Sequence, residues 1–218
     1  MKTVPQTIRT NKVGWVHVMA LAACFVFAPG AVWAQSVAAT KNAIGTLIVV
    51  RTDGIQERLQ GAGSLPIYEG DVVQTDESSQ GMIQFKDGVE VALNESTSFK
   101  ILSRWKKGRP LVRIIRLKEG EIWVRTGEGG PKAFEVETPV ATAAVKETEF
   151  DLKVQPDGQS VLTVINGIVE FGTPFGTCPI KPSTISYGNP GKKCTKPAPT
   201  DAAAAKAWTK ALVQHGEP

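Results

Sequence analysis

The chain reads as an all-β protein of twisted antiparallel sheets, packed as a sandwich or a solenoid-like meander, with one α-helix at its C-terminal end. Three observations predict this. Apolar and polar residues alternate with period two through Phe150–Val154, the pattern of a strand with one buried face. The strands are punctuated by turn chemistry such as Lys86-Asp87-Gly88, Pro156-Asp157-Gly158 and Asn166-Gly167. No helical period is legible between the strands, which excludes a βαβ nucleotide fold.

Taken in order, residues 1–34 have the form of an export signal. Lys2, Arg9 and Lys12 precede an apolar run over Gly14–Ala28, and Val32-Trp33-Ala34 offers small residues where a signal peptidase reads. The run is short and ends at Pro29-Gly30, so no stable membrane span is expected. Cleavage after Ala34 would deliver a soluble periplasmic protein. The alternative is a lipoprotein acylated at Cys24, within Leu21-Ala22-Ala23-Cys24, although Phe25-Val26-Phe27 keeps that stretch apolar. Removing 34 residues from 218 leaves 184, enough for one domain with a real core. The leader holds three of the 25 Lys and Arg and none of the 21 Asp and Glu, leaving 22 against 21. The basic character therefore belongs to the leader, and charge gives no case for nucleic-acid binding.

The β domain is expected over residues 44–172. Ala38–Asn42 reads as a polar lead-in. Gly45 precedes the strand Thr46–Arg51, and Gly70-Asp71 precedes Val72–Thr75. A three-residue loop with Gly88 left-handed pairs Phe85 with Val89 and Ile83 with Val91. Leu111–Leu117 and Glu121–Arg125 are expected to form a hairpin around Lys118-Glu119-Gly120. The turn at Pro156–Gly158 pairs Val154 with Ser160, Leu152 with Leu162 and Phe150 with Val164. A two-residue Asn166-Gly167 turn then pairs Val164 with Val169 and Leu162 with Phe171, placing Phe150, Leu152, Leu162, Val164, Val169 and Phe171 on one face. Residues 173–200 read as a loop and Pro-rich linker stapled by Cys178 and Cys194, an even pair suited to an oxidising compartment. Closing the 15 intervening residues is worth about 3 kcal/mol in the chain-entropy model. Asp201 caps a helix spanning residues 201–215, and Trp208 and Leu212 share the face that docks.

Six words then carry a resemblance: Gly70-Asp71-Val72-Val73-Gln74-Thr75, Phe85-Lys86-Asp87-Gly88, the strand Leu117–Val124, Glu135-Val136-Glu137-Thr138-Pro139, Glu149-Phe150 and Asn166-Gly167-Ile168-Val169. In this order, from about Gly45 to Phe171, the sequence resembles the FecR family, periplasmic sensor domains named for iron-citrate signalling. Glu147 stands where the family usually has Gly, so the bend there is expected to be absent or relaxed. Regulatory members carry an anti-sigma segment and a membrane helix before this domain. An export leader stands in that place here, so the resemblance does not imply direct control of a sigma factor.

Chemistry by the domain itself finds little support. After the leader the sole histidine is His215, so a Ser–His or Cys–His nucleophile is hard to build and zinc lacks ligands. No catalytic residue, metal or cofactor is expected. Glu147, Glu149, Asp151 and Lys153 read as an ordinary solvated strand face, and one such face cannot supply opposed glycosidase carboxylates. The other candidate is Ser103–Lys118, with seven basic residues and no acid. Arg104, Trp105, Lys106, Lys107, Arg109 and Arg113 would suit an anionic envelope polymer, or else form a plain charged hairpin tip. The expected function is a non-enzymatic envelope module that meets a protein partner, with polymer binding as the alternative.

Overall fold

The structure, a computed structural model, describes residues 35–104, 112–127 and 134–214. The leader, the hairpin tip at Trp105, Lys106, Lys107 and Arg109, and His215 lie outside the described residues.

Among the described residues, sixteen strands form one continuous sheet. The first eight are β1 (Ala38–Val50), β2 (Gln56–Ala62), β3 (Pro66–Ile67), β4 (Val72–Thr75), β5 (Gln80–Phe85), β6 (Glu90–Leu93), β7 (Ser98–Arg104) and β8 (Val112–Arg125). Six of them close a barrel in the order β1-β4-β7-β8-β6-β5 and back to β1. Closure depends on two long strands serving two sheet segments each. The first half of β1 pairs with β5 and its second half with β4, while the first half of β8 pairs with β7 and its second half with β6.

The remaining strands are β9 (Phe134–Glu137), β10 (Thr142–Val145), β11 (Glu149–Val154), β12 (Ser160–Asn166), β13 (Val169–Thr173), β14 (Gly176–Ile180), β15 (Thr184–Gly188) and β16 (Ala198–Pro199). They grow from β8 as two branches. One runs β9-β10-β13-β14 from its first half, with β8 and β9 parallel, and the other runs β11-β12-β15-β16 from its second half.

Glycines make the bends. Gly120 has φ +91°, and a Cβ there would meet the Thr97 backbone Cα at 2.4 Å. The bend frees the Glu121 N–H from the ladder, and the Thr97 hydroxyl accepts it at 3.0 Å. Gly45 repeats the device: φ is +74°, and the Ser79 hydroxyl accepts the Thr46 N–H at 3.0 Å. Gly167, with φ +78° and packed on Thr148, turns the chain from one branch into the other.

These bends correct four expectations. Lys118-Glu119-Gly120 is a kink inside the single strand β8, because the hydroxyl satisfies the one backbone group that the kink releases. Likewise β12 and β13 do not pair: Val164 lies opposite Thr184 and Leu162 opposite Ser186, while Val169 and Phe171 face β10 and β14. Ala38–Asn42 is the first part of β1, with Ala38 and Asn42 buried. The bend at Glu147 is retained, since Glu147 takes φ +51° without a glycine.

The hairpins at Gly88 and Gly158 form in the expected register, with Ile83 opposite Val91 and Phe150, Leu152 and Val154 opposite Val164, Leu162 and Ser160. Phe150, Leu152, Leu162, Val164, Val169 and Phe171 are fully buried despite the different pairing, in a core that also holds Leu47, Phe99, Ile115, Phe134 and Ile180. Residues 173–200 hold more structure than a loop: β14 and β15 extend the two branches, and the Cys178–Cys194 disulfide ties β14 to the segment after β15. Both cysteines join the main core.

Candidate functional site

Among the described residues of the basic segment, charge is matched locally. Arg104 ends β7 and donates to Glu137 at 2.6 Å, with Glu135 at 3.7 Å. Arg116 donates to the other Glu137 oxygen at 2.9 Å. Arg113 opens β8, lies 3.1 Å from Asp87 and sets its guanidinium 4.8 Å above the Phe85 ring. The partners come from β9 and from the β5–β6 turn, both distant in sequence. Partial burial alone would push the Glu137 carboxyl up, but hydrogen bonds from Arg116 and Arg104 outweigh it and hold the group below the usual range. Arg104 and Arg113 thus belong to ion-pair clusters that fasten β8 to its neighbours.

The second face of interest is the outer side of β11. At Glu149 and Asp151 it is covered, which corrects the reading of a solvated face there, while Glu147 and Lys153 are exposed as expected. One row of paired residues crosses the sheet: Asn42, Met82, Ala92, Trp123, Asp151 and Thr163, on β1, β5, β6, β8, β11 and β12. Each points away from the main core, since its strand neighbours, such as Ile83, Val91, Ile122 and Leu152, are buried on the other side. Met82, Ala92 and Trp123 make a second apolar cluster with Leu212, joined by Ile44, Ile165 and Trp208.

The C-terminal segment supplies the cover. Asp201 accepts the Ala203 and Ala204 N–H groups at 2.9 and 3.2 Å, starting the helix as expected. The helix is interrupted: α1 (Ala202–Ala205) gives way to a 3₁₀ turn at Ala207–Thr209, then α2 (Lys210–Gln214) follows. This offset lets Trp208 and Leu212 both reach the sheet. Leu212 is fully buried, and its carbonyl accepts the Asn42 amide N–H at 2.7 Å. The Trp208 indole donates to Asp151 at 3.3 Å. Lys206 and the Trp123 indole both donate to one oxygen of Glu149, at 3.0 and 3.1 Å. A cleft of about 340 Å³ remains between this segment and the sheet, lined by Trp123, Arg125, Glu149, Lys206 and Val213. A larger, open polar groove of about 590 Å³ crosses the strand ends near Glu95, Lys118, Glu119 and Lys153.

Asp151 is the most perturbed carboxyl here. It is 5% exposed, and burial pushes its carboxyl well above the usual carboxylate range. The negative charge of Glu121 pushes in the same direction, against the Trp208 hydrogen bond and the attraction of Lys153. The sequence signal for this site was present in two halves, the Trp208/Leu212 helix face and the acid-rich side of β11, without anything local to join them.

Five of the six sequence words serve as joints of this architecture. Asp71 is buried, accepts the Tyr68 N–H at 2.8 Å and pairs with Arg51 at 2.6 Å. Gly88 turns a hairpin, Gly120 and Gly167 bend strands, Glu137 gathers two arginines, and the Thr138 hydroxyl accepts the Ala141 N–H at 2.9 Å to turn β9 into β10. Residues 71–170 match the family described as FecR protein. Over this stretch the chain is similar to the FecR family.

The FecR match spans the barrel from β4 onward and both branches as far as β13. Two crystal structures of a "putative anti-sigma factor" from Parabacteroides distasonis share its fold, with TM-scores of 0.52 and 0.53 at 24% and 23% identity. The likeness covers 64% of this chain and 64% of each of those chains, so it spans less than two thirds of their length. No curated protein matches the chain. No helix among the described residues is long and apolar enough to cross a membrane.

Proposed function

We propose that this chain is an exported, non-enzymatic FecR-domain module that recognises a protein partner in the cell envelope and serves signalling or scaffolding there. The observation that carries this reading is the use of the family's own residues. Gly70-Asp71, Gly88, Gly120, Glu137-Thr138 and Asn166-Gly167 set turns, bends and ion pairs, so the words that carry the likeness specify the shape of a bent sheet. A bent sheet without a catalytic constellation among its described residues suits recognition of another protein. The Cys178–Cys194 bridge supports an oxidising compartment, in keeping with the signal-like residues 1–34.

The test has two parts. N-terminal sequencing and fractionation should find a soluble periplasmic protein beginning at Gln35; an acylated Cys24 or recovery wholly with membranes would contradict the export reading. Crosslinking in living cells should then trap one envelope protein whose complex survives high salt. Retention on an anionic envelope polymer that is lost in salt, and abolished in Arg104→Glu with Lys107→Glu, would favour the polymer reading instead. The ion pairs that engage Arg104 and Arg113 weigh against that outcome.

A further inference from the structure

We propose that the C-terminal segment, residues 201–214, is a detachable latch over the outer apolar row of the sheet, and that a proton on Asp151 holds it closed. The geometry carries this. The latch crosses the row rather than extending the sheet, and it contributes few deeply buried groups, chiefly Thr209 and Leu212. It is held by two polar groups that the sheet buries beneath it. Near its C-terminal end the Asn42 amide reaches the Leu212 carbonyl, and at its middle Asp151 receives the Trp208 indole. Asn42 and Asp151 are 3% and 5% exposed while the latch is down. When it lifts, both are hydrated, and Met82, Ala92 and Trp123 meet solvent together.

The charge balance at Asp151 is what makes the latch conditional. From β8 it faces Glu121, which is also held by Asn94 at 2.9 Å and by Lys153 at 3.3 Å. From β11 come Lys153 and Glu149, the latter occupied by Lys206 and the Trp123 indole. The neighbour across the ladder on β12 is the neutral Thr163. From the latch come Trp208 and Lys206. A protonated Asp151 can donate to Glu121 while its other oxygen accepts the Trp208 N–H. An ionised Asp151 would leave two negative charges beside each other under a cover that excludes water.

The sign follows from linkage. The Asp151 carboxyl titrates higher with the latch closed than with it open. Closure is therefore favoured at pH values below the open-state value and is lost as pH rises through the closed-state value. Each unit between the two values changes the closed-to-open ratio about tenfold. Opening exposes an aromatic and aliphatic strip on an otherwise ion-paired surface.

The experiment is hydrogen exchange of the purified chain between pH 5 and pH 8, with rates corrected for intrinsic exchange, and binding of an apolar dye as a second readout. The expected result is protection of the amides of residues 202–214 at pH 5, falling at least about tenfold by pH 8, while β12 stays protected and dye binding rises. Asp151→Asn, which keeps the shape and an acceptor for Trp208, should hold the latch protected across the whole range. Glu121→Gln removes the charge that raises the Asp151 carboxyl and should shift the fall to lower pH without removing it, giving a second handle should the Asn variant fold poorly. Equal protection of residues 202–214 at both pH values in the parent chain would overturn the proposal. So would an unchanged pH profile in both variants.

Discussion

Along β11, Phe150, Leu152 and Val154 enter one dry apolar core, whereas Glu149, Asp151 and Lys153 on the opposite side meet Lys206, Trp208 and Glu121. The inner face is closed by residues whose burial depends only on their neighbours in the sheet. The outer face is completed by a segment that arrives some 50 residues later and binds largely through polar groups. One face thus sets the fold and the other sets what the fold presents. A change on the inner face should cost global stability, while a comparable change on the outer face should be felt locally.

The largest effect is expected where the sheet itself bends. Gly120→Val would force a branched side chain into the Thr97 backbone at a positive φ, and should cost at least about 4 kcal/mol in urea unfolding or prevent folding outright. Gly88→Ala sharpens the point, because Gly88 has φ +86° but nothing within 4 Å of a Cβ. It should cost only about 1 kcal/mol, the conformational part alone. Equal costs at the two glycines would contradict the role given to the bend.

Next comes Leu152→Ala, which empties a fully buried site and should lower global stability by about 3 kcal/mol. Leu212 is equally buried, but on the outer cluster. Leu212→Ala should move the main urea transition by less than about 1 kcal/mol, because the latch can open before the sheet unfolds.

The hairpins at Gly88 and Gly158 were legible because a turn and its flanking alternation lie within a dozen residues of each other. The bends at Gly120 and Gly167 were misread for the same reason. Locally, glycine between two apolar alternations looks alike whether the chain reverses or only kinks. What decides is Thr97 or Thr148, brought in from elsewhere in the sequence. The matched charge at Arg104 was hidden similarly, since Glu135 and Glu137 reach it from the parallel strand β9. The helix was visible by its cap and its Trp208/Leu212 face, but nothing local shows that Asp151 lies beneath it.

Two smaller effects test the joints one at a time. Glu147→Gly relieves a left-handed glutamate and should stabilise the chain by about 0.5–1 kcal/mol, measured by the same urea transitions. Glu137→Gln removes a carboxylate held ionised by Arg116 and Arg104, so its stabilisation is present above the unfolded value and lost as pH falls through the lower folded value. The variant should be weaker than the parent by about 1 kcal/mol at neutral pH, and the difference should vanish in acid. This is opposite in sign to Asp151.

The division between the two faces is tested most directly by hydrogen exchange of Leu212→Asp against the parent chain at pH 5. A charge placed in the outer cluster should strip protection from residues 202–214 and leave β8, β11 and β12 protected as before. Loss of protection spreading through β11 and β12 would contradict the account, because the C-terminal segment would then belong to the fold itself.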